Sequence, residues 1–84
     1  MGKTELARAL AELDVPTVNT YLETFAQQAH WAMYIIGLRH RGHVQQQLKQ
    51  VADAEQSYLE AAEAAHEHKQ AFLGEQVANS RAFL

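Results

Sequence analysis

Trp31-Ala32-Met33-Tyr34-Ile35-Ile36-Gly37-Leu38-Arg39-His40-Arg41-Gly42 is the stretch on which the fold turns. On a helix its first eight residues are apolar nearly all round. Trp31, Ile35 and Leu38 project to one side, Ile36 to the other, and Tyr34 lies between them. Upstream, Val18, Leu22, Phe25, Ala29, Ala32 and Ile36 step by alternating fours and threes, as along a packing seam. A helix that is apolar all round is buried on all sides. One antiparallel partner cannot cover it, so the pattern predicts that protomers pack together there.

The end of the quoted stretch reads as a helix terminus. Arg39, His40 and Arg41 place cations where the helix dipole favours them, and Gly42 supplies a residue suited to a left-handed cap. Beyond it a second seam runs through Val44, Leu48, Val51, Tyr58 or Leu59, Ala62, Ala65, and Phe72 or Leu73. From Ile36 to Val44 the step is eight residues rather than seven, so the seam is reset at Gly42, and a turn accounts for the reset. The expected fold is therefore all-α. It is a helical hairpin of two long antiparallel helices, about 17–41 and 43–73, assembling as a coiled-coil-like four-helix or larger bundle.

A short N-terminal helix is expected over 4–13, capped by Thr4, with Leu6, Leu10 and Leu13 on one stripe. Asp14-Val15-Pro16 ends it, because Pro16 disfavours helical geometry at Val15. Gly74 ends or bends the second arm, and 75–84 reads as a weaker helical tail. No internal repeat and no Gly/Ser/Pro-rich linker stands out.

The chain has 84 residues, which sets one domain, 1–84, as the expectation. It has no cysteine, so neither disulfides nor thiolate metal sites contribute. Small chains without such staples gain stability from regular helix packing or from oligomerising. A net charge of −3 argues against non-specific nucleic-acid binding. Trp31 to Leu38 is the longest apolar run, far below the ~18 residues a membrane span needs. The expected location is the cytoplasm, or a particle assembled there.

The residues that look committed to a partner are Trp31, Met33, Tyr34, Ile35, Gly37 and Leu38. Gly37 costs ~1 kcal/mol relative to Ala inside a helix, which points to close approach of another backbone there. Arg39 and Arg41 form a weaker candidate for an anion contact. Glu63-Ala64-Ala65-His66 is similar to the Glu-x-x-His motif of ferritin-like carboxylate bundles. That resemblance implies metal held by Glu63 and His66, with Glu23 as the candidate from the facing helix. The remaining sequence offers no Gly-rich phosphate loop, no paired-carboxylate motif and no local nucleophile–base grouping.

No enzyme activity, cofactor or metal is expected. The function expected is that of a small interaction or assembly protein, an adaptor, structural component or inhibitor. It would bind itself and another protein through an apolar helical face. A viral or mobile-element accessory role enters by analogy of size and composition alone. The alternative is a ferritin-like half-bundle binding metal.

Overall fold

The computed structural model describes residues 14–82. They form four helices and no strand: α1 (Val15–Gln27), α2 (Trp31–Gln47), α3 (Val51–Glu67) and α4 (Ala71–Arg81). No helix among the described residues is long and apolar enough to cross a membrane. The all-α expectation holds. The helix expected over 4–13 lies outside the described residues.

The hairpin of two long arms is corrected. Neither arm is continuous, and Gly42 is not a turn. The chain reverses instead at 28–30, 48–50 and 68–70, and each reversal has the same construction. Ala29, Lys49 and Lys69 adopt φ values of 56°, 62° and 56°. Around each, two backbone bonds close the helix end. The N–H groups of His30, Gln50 and Gln70 reach back to the carbonyls of Phe25, Gln45 and Ala65 at 2.9, 2.8 and 2.8 Å. Those of Ala29, Lys49 and Lys69 donate to Ala26, Gln46 and His66. This is the Schellman arrangement, which satisfies carbonyls a helix end would otherwise orphan. The carbonyls of His30, Gln50 and Gln70 then accept from Tyr34, Ala54 and Gly74, so the residue that closes one helix opens the next. The backbone therefore repeats every twenty residues, a period that the side chains hide.

The start of α1 corrects the sequence reading: Val15, expected outside a helix, is its first residue. Asp14 caps it, accepting from the Thr17 N–H at 3.3 Å and from the Thr17 hydroxyl at 2.6 Å. Pro16 sits in the first turn, where a missing N–H costs nothing.

Consecutive helices run antiparallel, and α2 is central, packed against α1, α3 and α4. α2 and α4 approach one another, whereas no Cα of α1 lies within 8 Å of α3. The helices thus form two layers, α1 with α3 and α2 with α4, with a gap in the first. The core joins Val18, Tyr21 and Leu22 of α1, Ile35 and Leu38 of α2, Ala54, Tyr58, Ala61 and Ala65 of α3, and Val77 of α4. Within Trp31–Leu38, Ile35, Gly37 and Leu38 are buried in the chain, Ile35 at 0 % and Leu38 at 1 % exposure, while Trp31, Met33, Tyr34 and Ile36 are half-buried and Ala32 is exposed. The two seams read from the sequence stop at the turns. Ala29 and Ala32 are exposed, as are Leu48 and Val51. Phe72 is 71 % exposed at the start of α4.

Gly37, Gly42 and Gly74 sit in helix interiors, where they let neighbours approach. A Cβ on Gly42 would lie 2.5 Å from Cε1 of Tyr58, whose ring is wholly buried. Gly37 does meet a close neighbour, but it is the Leu22 side chain of α1 rather than another protomer's backbone. Gly74 lies inside α4, and α3 has already ended at Glu67.

Two substitutions test this architecture by urea denaturation. Gly42→Ala is expected to destabilise by about 1–2 kcal/mol, overpacking against Tyr58 outweighing the gain in helix propensity. Lys49→Gly is expected to stabilise by about 1 kcal/mol, because a left-handed non-glycine residue carries a steric cost. A loss of stability at Lys49→Gly would mean that this residue lies in a continuous helix.

Candidate functional site

The gap between α1 and α3 is a groove with α2 as its floor. One half, a hollow of about 310 Å³, is lined by Asn19, Leu22, Glu23 and Ala26 of α1, Tyr34, Leu38 and Arg41 of α2, and Glu60 of α3. The other half, about 290 Å³, is lined by Trp31, Tyr34, Glu60, Glu63, Ala64, Glu67 and His68. Tyr34 and Glu60 line both, so the two hollows are neighbours along α2 and α3, the first walled by α1 and the second lined by α2, α3 and His68 alone.

Helix geometry explains the lining. Glu60, Glu63 and Glu67 are spaced three and four apart and so share one face of α3. Ala61, Ala64 and Ala65 take the buried side of the same helix. The antiparallel packing of α2 and α3 brings the first residue of α2 beside the last turn of α3. There the Trp31 indole stacks on the His68 ring, with centroids 3.8 Å apart and planes 8° from parallel. Tyr34, one turn on, meets Trp31 edge-on at 5.8 Å and 88°.

Arg41 ties the groove together from below. Its Nε donates to Ser57 Oγ at 2.8 Å, its Nη1 to Asn19 Oδ1 at 2.8 Å, and its Nη2 to the Glu60 carboxylate. Ser57 is fully buried, and its hydroxyl donates a hydrogen bond to Gln45 Oε1. One guanidinium thereby links α1, α2 and α3, and no buried side-chain N or O among the described residues lacks a partner.

The sequence-predicted residues are divided by this arrangement. Trp31 and Tyr34 line the groove, Met33 is half-buried, and Ile35, Gly37 and Leu38 are buried inside the chain. Arg41 is engaged by its three internal partners rather than offered to an anion. Arg39 faces the opposite layer, where its Nε donates to Ser80 Oγ at 3.0 Å. Glu23 and Glu63 stand in different halves of the groove, and His66 is exposed. No group of three or more His, Cys, Asp or Glu among the described residues comes together to hold a metal. Asn19, Glu60, Glu67 and His68 were missed, although the spacing of Glu60, Glu63 and Glu67 was there to be read.

Comparison with known proteins leaves this geometry to speak alone: no protein-family model, curated protein or solved structure matches the chain.

Two histidines mark the opposite face. His43 Nε2 lies 3.1 Å from Ser80 Oγ, and its ring meets His40 and Tyr58 edge-on. Burial, then the Arg39 charge, holds His40 below the usual imidazole value. Burial, then Arg39, then His40, does the same for His43. The unfolded chain therefore binds these protons more readily than the folded one. Stability from this pair is fully present above pH 6.5 and declines as pH falls from there through the lowered folded values.

The melting temperature is accordingly expected to drop as pH is lowered from 6.5, and His40→Gln/His43→Gln should flatten that part of the profile. Arg41→Met keeps the stem but removes three donors. It is expected to cost about 2–3 kcal/mol in chemical denaturation. A cost indistinguishable from zero would remove the network from any structural role.

Proposed function

We propose that this chain is a small non-enzymatic interaction module that holds a segment of another protein in the groove between α1 and α3. The observation that carries the reading is the groove itself. Two helices of one layer stand apart over a floor that is already fully packed. The hollows present an aromatic and carboxylate lining. Stacks of helix pairs, as in α-solenoids, commonly use such concave surfaces for binding extended or helical segments. This is an analogy of architecture rather than of descent.

Binding fits the lining better than catalysis does. Arg41, the one cation in the groove, is held by Asn19, Ser57 and Glu60, and no nucleophile–base pair lines the channel. The self-association expected from the sequence rested on Trp31, Met33, Tyr34, Ile35, Gly37 and Leu38; of these Ile35, Gly37 and Leu38 lie in the chain's own core, and Trp31 and Tyr34 line the groove. The groove therefore carries the proposal in place of that face.

The test is a selection of displayed random peptides on the immobilised protein. Enriched peptides are expected to shift the amide resonances of α1 and α3 residues lining the groove. They should also lose about tenfold or more in affinity, some 1.4 kcal/mol, when Ala26→Trp fills the channel. Binders that instead perturb the Arg39, His43 and Ser80 face, or that ignore Ala26→Trp, would overturn the reading. So would a selection that enriches nothing.

A further inference from the structure

We infer that the segment held in the groove is cationic, seated through arginine or lysine side chains against Trp31, Tyr34 and the carboxylates of α3. This deepens the docking reading above and rests on it. Charge complementarity carries the inference. Glu23 and Glu60 line the first hollow, and Glu60, Glu63 and Glu67 line the second. The single opposing cation, Arg41, has its guanidinium taken up by Asn19, Ser57 and Glu60. Among the described residues the ion pairs are Arg41–Glu60 and Arg81–Glu55, and none of the cations there pairs with Glu23, Glu63 or Glu67.

The spacing suits a chain rather than a single ion. Glu60 to Glu67 spans seven residues of α3, or about 10 Å at the helical rise. That is about the length of three residues of an extended segment. Successive carboxylates lie within a Debye length of one another, about 8 Å at physiological salt, so they act on an incoming charge together. The aromatic pair adds direction. Tyr34 stands edge-on to Trp31 in the same hollow as Glu60, Glu63 and Glu67. A cationic side chain there meets an aromatic ring and carboxylates at once, a combination that favours arginine and lysine. An acidic segment would meet like charge along one whole wall, and a purely apolar one would strip water from carboxylates without pairing them.

Trp31 is the only tryptophan in the chain, so its fluorescence reports occupancy directly. The experiment titrates the full chain with three synthetic peptides of equal length, one of alternating arginine and alanine, one neutral and one of alternating glutamate and alanine. The basic peptide is expected to change Trp31 emission and to bind more weakly as salt is raised. Glu63→Gln/Glu67→Gln should weaken it about tenfold, given the modest worth of each exposed charge pair. Asp53→Asn/Glu75→Gln makes the same change in net charge on exposed residues away from the groove and should leave the affinity within about twofold. All four positions are exposed, so melting temperatures should stay close to the parent's.

Equal weakening by the two double variants would reduce the binding to general attraction and overturn the inference. Tighter binding of the neutral or acidic peptide, with a Trp31 response abolished by Ala26→Phe, which leaves Trp31 the only tryptophan, would overturn the cationic partner while leaving the docking groove intact. No response to any of the three peptides would overturn the cationic partner too. The groove would then stand or fall on the random-peptide selection.

Discussion

Ala29, Lys49 and Lys69 hold the chain in a left-handed conformation at equal intervals, and the fold depends on those three residues accepting it. Each costs about 1–2 kcal/mol more than glycine would. Packing on either side offsets that cost. Where α2 returns into α3, Gly42 lets the buried Tyr58 ring lie against the backbone, and Tyr58 reaches Gln46 with its hydroxyl at 3.1 Å. Because every turn spans only three residues, the direction of one helix dictates the next. The layer assignment of α1 with α3 and α2 with α4 follows from that geometry.

Arg41 is the second constraint. A stack of sequential helices holds α1 mainly through α2, and α1 has no backbone contact with α3. The guanidinium supplies the missing connection through Asn19 on one side and Ser57 and Glu60 on the other. Its planar fork suits this task in a way a lysine would not. The same network sets the character of the groove, since it satisfies the one basic group there and leaves the remaining carboxylates exposed.

Helical class was legible in the sequence because apolar periodicity is local, whereas the Asp14 cap reads there as the end of an earlier helix. The turns were not legible, for a reason visible in particular residues. Glycine is the usual signal for a left-handed cap, yet here glycine occupies helix interiors at Gly37, Gly42 and Gly74. The caps fall on alanine and lysine. A seam that steps cleanly from Phe25 through Ala29 and Ala32 to Ile36 crosses a turn without a break in period. The displaced phase of Trp31, Ile35 and Leu38 was the mark of a new helix, and it read instead as a second face awaiting another protomer. Gln28-Ala29-His30, Leu48-Lys49-Gln50 and His68-Lys69-Gln70 share a position and a conformation but little chemistry, so the repeat hid in plain view. In the groove, Trp31 and Tyr34 were legible from their exposure on an apolar helix. The acidic wall was passed over because a run of glutamates on α3 resembles any solvated face.

The unequal tethering of the helices has a kinetic consequence. Among the described helices α2 is clasped from three sides, whereas α1 packs on α2 alone and borrows one polar strut from Arg41. Local opening draws first on elements with the fewest partners. Amide protons of α1 should therefore exchange with solvent sooner than those of α2 and α3, in one cooperative unit. Since α1 is a wall of the groove, each such excursion erases the groove, and any occupant that spans both walls slows the exchange of the helix it touches.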